Sequence, residues 1–187
     1  MTPQSADLRG RVGMCCLIGA EAAIFTIFVV AYLFYVGKSL SGPQPRDVLH
    51  LPLFPTVALL SSSLTIHAGV KALQRGHVRT FAWWWLATLA LGAAFLGATA
   101  IEWHRLIYSE RLTIQTNLFG TTYFSLVGLH AFHVTVGLVG LTLGATLGWV
   151  GYVRPLDASR GETFSLYWHF VDAVWVVVLL VVYVIGR

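Results

Sequence analysis

Eight acidic residues and seven histidines are spread through this 187-residue chain, and a few of them stand where water is scarce. Glu21 is the clearest case. It lies in the run GAEAAIF, near the middle of an apolar block. An ionised carboxylate at such a depth in a membrane costs several kcal/mol, so Glu21 must be protonated, paired or turned toward protein. Two chemistries follow. One is a buried protonatable group, linked to proton movement or to assembly. The other, the blander, is a structural hydrogen bond between helices.

His130 and His133 stand three residues apart in GLHAFHVTVG, a spacing that places both on one helical face. Haem ligation would need a facing histidine from a second helix at matched depth, and only His67 and His169 offer one. No haem, copper or zinc motif surrounds any of the four. Interhelical hydrogen bonding, with some contact to lipid headgroups, is the expected role. Glu102, His104 and Arg105 close another apolar block, and Asp172 follows His169 by about one turn in YWHFVD. These groups are expected to be satisfied between helices or at the interface. No catalytic residue is expected. The chain carries no P-loop, dinucleotide fingerprint or CxxCH site. Cys15 and Cys16 are adjacent and diverge along a helix, a poor geometry for a disulfide. They are too few for a zinc or iron–sulfur centre and read as small apolar core residues. No metal and no cofactor is expected in this chain.

The elements that must hold these groups are long and apolar. The chain is 57% apolar and 11% charged, against about 25% charged residues in an ordinary soluble domain. So few charges suffice only if most of the surface faces lipid. Blocks at 13–36, 51–74, 81–106, 119–150 and 163–185 each reach the roughly 20 residues that cross a bilayer. The sequence therefore predicts an all-α polytopic membrane protein, one domain over 1–187, built as a bundle of five transmembrane helices. The first block exceeds a signal-peptide core and ends in no clear cleavage site, so it reads as a retained helix. Gly128, Gly137, Gly140, Gly144 and Gly148 read as packing positions in the fourth block, and Gly92 and Gly97 in the third, since small residues let membrane helices approach closely.

The formal net charge is +4, but Lys and Arg lie singly between apolar blocks, without the basic stripe of a nucleic-acid binder. With five spans the termini face opposite sides. Arg9, Arg11, Lys71, Arg75, Arg79, Arg154 and Arg160 fall on one side, and Lys38, Arg46, Arg105, Arg111 and Arg187 on the other. The positive-inside rule then places the amino terminus inside and the carboxyl terminus outside.

Four segments together resemble subunit III of the haem–copper respiratory oxidases. They are GAEAAIFTIFVVAYLFY, PLFPTVALLSSSLTIHAGVKALQRG, LGAAFLGATAIEW followed by FGTTYFSLVGLHAFHVTVG, and ETFSLYWHFVDAVWVVVLLVVYVIG. Glu21, Glu102, Gly120, Phe124, Gly128, His130, His133 and Gly137 fall at family positions. So do Glu162, Tyr167, Trp168, His169, Phe170, Asp172, Trp175, Tyr183 and Gly186. The resemblance runs from about Gly13 to Gly186, and the order of GxHxxHVxxG and YWHFVDxVW is specific. The chain looks like the five-helix form, lacking the first two helices of the commoner seven-helix form. It also has Val70 and Lys71 where the family often has a histidine pair, and Thr116 where an acidic residue is common.

That resemblance implies a non-catalytic accessory subunit in a bacterial or archaeal cytoplasmic membrane. Haem and copper would sit in partner subunits. Subunit I would be the main partner, with subunit II, a small subunit IV and bound phospholipid. Glu21 would be a buried protonatable residue, and Glu102, His130, His133, Glu162, His169 and Asp172 would hold helices and lipid. Three other readings compete: the related five-helix companion of nitric oxide reductases, a haem-b electron-transfer subunit using His130 or His133, and a small transporter coupled through Glu21.

Overall fold

The structure, a computed structural model, describes residues 3–39 and 41–186. Arg187, counted above among the charges, lies outside them. Every regular element among the described residues is helical. Helix α1 runs Pro3–Tyr35, and α2 is a single turn, Pro45–Val48. The longer helices α3 (Leu53–Gln74), α4 (Val78–Tyr108) and α5 (Leu118–Val150) follow. A 3-10 turn, Pro155–Asp157, leads into α6 (Ala158–Val178), and a π-helical segment, Leu179–Ile185, continues it. Five of these helical stretches are long and apolar enough to cross a membrane.

Helices α1, α4 and α6 begin before the apolar blocks that announced them. Helix α1 starts at Pro3 rather than Gly13, and α4 spans Val78–Tyr108 rather than Phe81–Leu106. Backbone hydrogen bonding continues beyond the hydrocarbon boundary, so hydropathy marks the lipid-facing part and not the helix end. Local chemistry sets the ends instead. The Asn117 side chain caps α5 by accepting from the Gly120 amide at 2.8 Å. At the other end Gly151 adopts φ 82°, the left-handed conformation that closes a helix at little cost when no Cβ is present.

Packing is uneven. The α3–α4 pair forms the most extensive interface, α5 packs on α4, and α6 is wedged against α1, α3 and α5. Trp168 and Trp175 of α6 are fully buried. Trp168 fills a slot between Gly92 of α4 and Gly137 of α5, where an added Cβ would come within 3.0 Å and 2.6 Å of its ring. Along α5, Gly140 receives the ring of Phe164, Gly144 that of Trp85, and Gly148 lies against Phe81 and Ala82. Gly128 touches Trp103 at ordinary van der Waals distance. The glycine stripe is thus a row of sockets for aromatic rings rather than a seam where two backbones meet. Gly97 differs from its expected packing role, with nothing within 4 Å of an added Cβ.

Helix α1 is the loosest element. In the most apolar stretch of the first span only 6% of residues are buried, against 50% for the last. Cys15 and Cys16 are exposed free thiols on it, not core residues. Helix α1 is apolar all round, so composition does not tell its lipid-facing side from its buried one.

Candidate functional site

The polar side chains inside the bundle gather at four levels, each joining different helices. At mid-depth α5 turns His133 toward α1. Its Nδ1 lies 2.8 Å from the Leu129 carbonyl, which can only accept, so that nitrogen carries the proton. Its Nε2 is then left facing Glu21 Oε2 at 3.0 Å. This contact holds one shared proton: either a carboxylic acid donates to a neutral ring, or an imidazolium donates to a carboxylate. The imidazole side chain is 7% exposed and the carboxyl 26% exposed, so the pair sits at the edge of the bundle with Glu21 on its outer side. Phe25 packs against the imidazole at 5.0 Å between ring centroids. Tyr167 of α6 donates to the His133 carbonyl at 3.0 Å. Three helices therefore meet at this histidine.

His130 does otherwise. It is fully buried and stacked on Trp175 at 5.3 Å, with Phe95 edge-on at 5.6 Å. Neither ring nitrogen reaches a hydrogen-bond partner among the described residues. The expected interhelical hydrogen bond is made by His133 alone, because one helical turn separates a polar neighbour from an aromatic cage.

The second level ties α6 to α3. Trp175 donates to Thr56 at 3.1 Å, Trp168 to Ser62 at 2.8 Å, and Ser63 bonds to Asp172 and lies 3.0 Å from His169 Nδ1. Residues 168, 169, 172 and 175 recur at helical spacing, which brings them to one face of α6. The serines and Thr56 were not singled out in the sequence. The run SSS inside an apolar span was the available signal.

The remaining charges close the two ends. Arg11 of α1 pairs with Glu162 of α6, which also accepts from Gln74 of α3 at 2.6 Å. A polar groove of about 390 Å³ opens there, lined by Arg11, His67, Lys71, Gln74, Glu162 and His169, among others. At the opposite end Glu102 accepts from Tyr183 at 3.3 Å, and Tyr183 meets Tyr123 at 3.2 Å. Arg105 donates to the Val48 carbonyl at 2.7 Å and pairs with Glu110 at 3.5 Å. The His104 ring lies tilted against Tyr108, 4.5 Å between centroids. An apolar groove of about 280 Å³ runs between α1 and α6, lined by Ala22, Phe25, Val29, Phe170, Val174 and Val177, among others.

Among the described residues no group of three or more His, Cys, Asp and Glu side chains is placed to hold a metal ion. The geometry is that of a helix bundle fastened by buried polar contacts, with one weakly covered helix carrying a carboxyl.

Comparison with known proteins agrees with the motifs. Residues 8–187 match the family model for cytochrome c oxidase subunit III. Cytochrome c oxidase subunit 3 of Alkalihalophilus pseudofirmus is 32% identical, over 98% of this chain and 92% of that protein. The cytochrome bo(3) ubiquinol oxidase subunit 3 of Pseudomonas aeruginosa is 31% identical over 93% and 84%. The quinol oxidase subunit 3 of Bacillus subtilis is 30% identical over 94% and 86%. The chain is a membrane-embedded, non-catalytic accessory subunit of the haem–copper oxidase type, and it belongs to the cytochrome c oxidase subunit III family.

Proposed function

We propose that this chain packs against the catalytic subunit I of a proton-pumping haem–copper oxidase, beside a subunit II and a small subunit IV. There it holds structural phospholipid and supports proton uptake and durability while oxygen is reduced to water. The observation that carries this reading is the uneven cover of α1. A helix with so little of its apolar surface buried within its own chain is suited to be covered by another subunit or by lipid. The groove between α1 and α6 is lined by apolar side chains, the surface chemistry that suits an acyl chain. Arg11 and Lys71, at the rim of the polar groove, are of the right sign for a lipid phosphate.

In this reading the Glu21–His133 pair fastens α1 to α5 and keeps a protonatable carboxyl at the covered face. Glu102, Glu162, His169 and Asp172 join helices, His130 fills an aromatic cage, and the α5 glycines seat rings. Haem and copper belong to the partners. The amino terminus faces the cytoplasm, where the cluster Lys71, Arg75 and Arg79 stands, and the membrane is the cytoplasmic membrane of a prokaryote.

Mild-detergent affinity purification of the full chain tests this, read by subunit identity, metal content and retained phospholipid. Recovery with a haem–copper subunit I is the expected result, and a copper-binding subunit II beside it would assign cytochrome c as donor. Recovery with haem and non-haem iron in place of copper would move the chain to a nitric oxide reductase. A chain recovered alone would overturn the reading.

A further inference from the structure

Among the described residues whose side chains are placed, Asp172 is the one buried carboxyl group, at 3% exposure. Its Oδ2 is hydrogen-bonded to the Ser63 hydroxyl, and its Oδ1 meets no donor among those residues. The same hydroxyl lies 3.0 Å from His169 Nδ1. A hydroxyl has one proton, so Ser63 donates to one neighbour and accepts from the other. Only two orders satisfy all three groups. In the first, Asp172 Oδ2–H donates to Ser63, Ser63 donates to His169 Nδ1, and the ring proton sits on Nε2. In the second, His169 Nδ1–H donates to Ser63 and Ser63 donates to an Asp172 carboxylate. The unpartnered Oδ1 favours the first order at rest. An ionised carboxylate here would leave a charged oxygen without a donor, whereas the acid leaves only a neutral carbonyl oxygen.

The two ends of this trio differ in access. Asp172 is enclosed between α3 and α6, while His169 lines the polar groove at the Arg11 end of the bundle. We propose that Asp172, Ser63 and His169 form a proton relay, through which a buried carboxyl exchanges its proton with that groove. Asp172 is thereby a proton-binding site of this subunit, separate from Glu21.

The exchange balances along two hydrogen bonds. The Asp172 Oδ2–H bond breaks as Ser63 Oγ takes that proton. Ser63 gives its own proton to His169 Nδ1, and His169 releases its Nε2 proton to water in the groove. One proton has left the carboxyl, one has entered water, and the ring has changed tautomer. Return runs the same steps backward. The groups facing the groove end are Arg11 from α1, Lys71 and the titratable His67 from α3, and Glu162 from α6. The two cations favour release, and Glu162 favours return. The inference stands on these side chains and not on the identity of the partner subunits.

Infrared spectroscopy on the full chain, purified in mild detergent with the subunits that accompany it, tests the relay. The difference between the native protein and Asp172→Asn isolates the carbonyl stretch of one protonated carboxyl. On transfer to heavy water this band is expected to shift promptly in the native protein and in Ser63→Thr, which keeps the hydroxyl. In Ser63→Ala and in His169→Phe the shift is expected to slow at least about tenfold, since each loses a hydrogen-bonded step. If one of these two variants does not assemble, the other together with Ser63→Thr decides. Native exchange in either broken variant, equal slowing in Ser63→Thr, or no protonated-carboxyl band in the difference would overturn the proposal.

Discussion

Helices α1 and α6 are both apolar enough to cross a membrane, yet they behave as opposites. Half of the most apolar stretch of the last span is buried, and its Trp168 and Trp175 are keyed into glycines and hydroxyls of neighbouring helices. In α1, Gly10, Gly13 and Gly19 have nothing within 4 Å of an added Cβ, and its polar fastenings include the Glu21 carboxyl and the Arg11 guanidinium. Hydropathy therefore measures where a helix lives and says little about what holds it. In lipid the apolar surface gains nothing by leaving its surroundings, so shape and a few hydrogen bonds decide which helices stay together. Helix α6 has both, and α1 is left with surface to offer to something else.

The largest expected effect lies on the packed side. Trp168→Ala empties the slot between Gly92 and Gly137 and frees the Ser62 hydroxyl. A loss of about 3–5 kcal/mol is expected, measured by thermal or denaturant unfolding of the purified chain. A loss below that of any α1 substitution would break the contrast. Gly137→Val pushes two methyl groups toward the same ring from the other helix, and about 1–3 kcal/mol should be lost. Recovery of that loss by a smaller residue at position 168 would show that the socket and the ring act as one unit.

Glu21→Gln is milder and tests a different property. Glutamine keeps a hydrogen bond to His133 but cannot exchange a proton with it, so chain stability should change by about 1 kcal/mol or less. Oxygen reduction by the assembled complex should begin near the native rate, with phospholipid retention or durability during turnover reduced. An immediate near-total loss of activity in a fully assembled variant would refute a supporting role for Glu21. Gly19→Leu is expected to do least to the chain itself, within about 0.5 kcal/mol, since it meets open space. Its effect should instead appear as weaker recovery of partner subunits or lipid.

The same contrast explains what could be read from residues in order. Five apolar blocks are legible because a bilayer imposes a minimum length on each. The YWHFVD string pointed to polar groups on α6, and Glu21 stood out because its surroundings are apolar. The partners were not legible. Glu21 meets His133 from 112 positions away, and Ser63 meets Asp172 from 109; nothing local sets their relative depth. His130 and His133 looked equivalent at a spacing of three, yet one faces a carboxyl and the other Trp175. The role of Gly140 and Gly144 as ring sockets depended on Phe164 and Trp85, which belong to other helices. Side-chain chemistry is written in the sequence, but the complementary surface is supplied by the bundle.

A photo-reactive residue placed at Ile27 on α1, compared with one at Leu143 on α5, would put the incomplete cover of α1 to the test, both positions being exposed. After mild-detergent purification and illumination, Ile27 should give adducts with another subunit or with a phospholipid that survives washing, and Leu143 should give fewer or none. Robust adducts at Leu143 with none at Ile27 would contradict the reading that α1 is the surface this subunit leaves open for its partners.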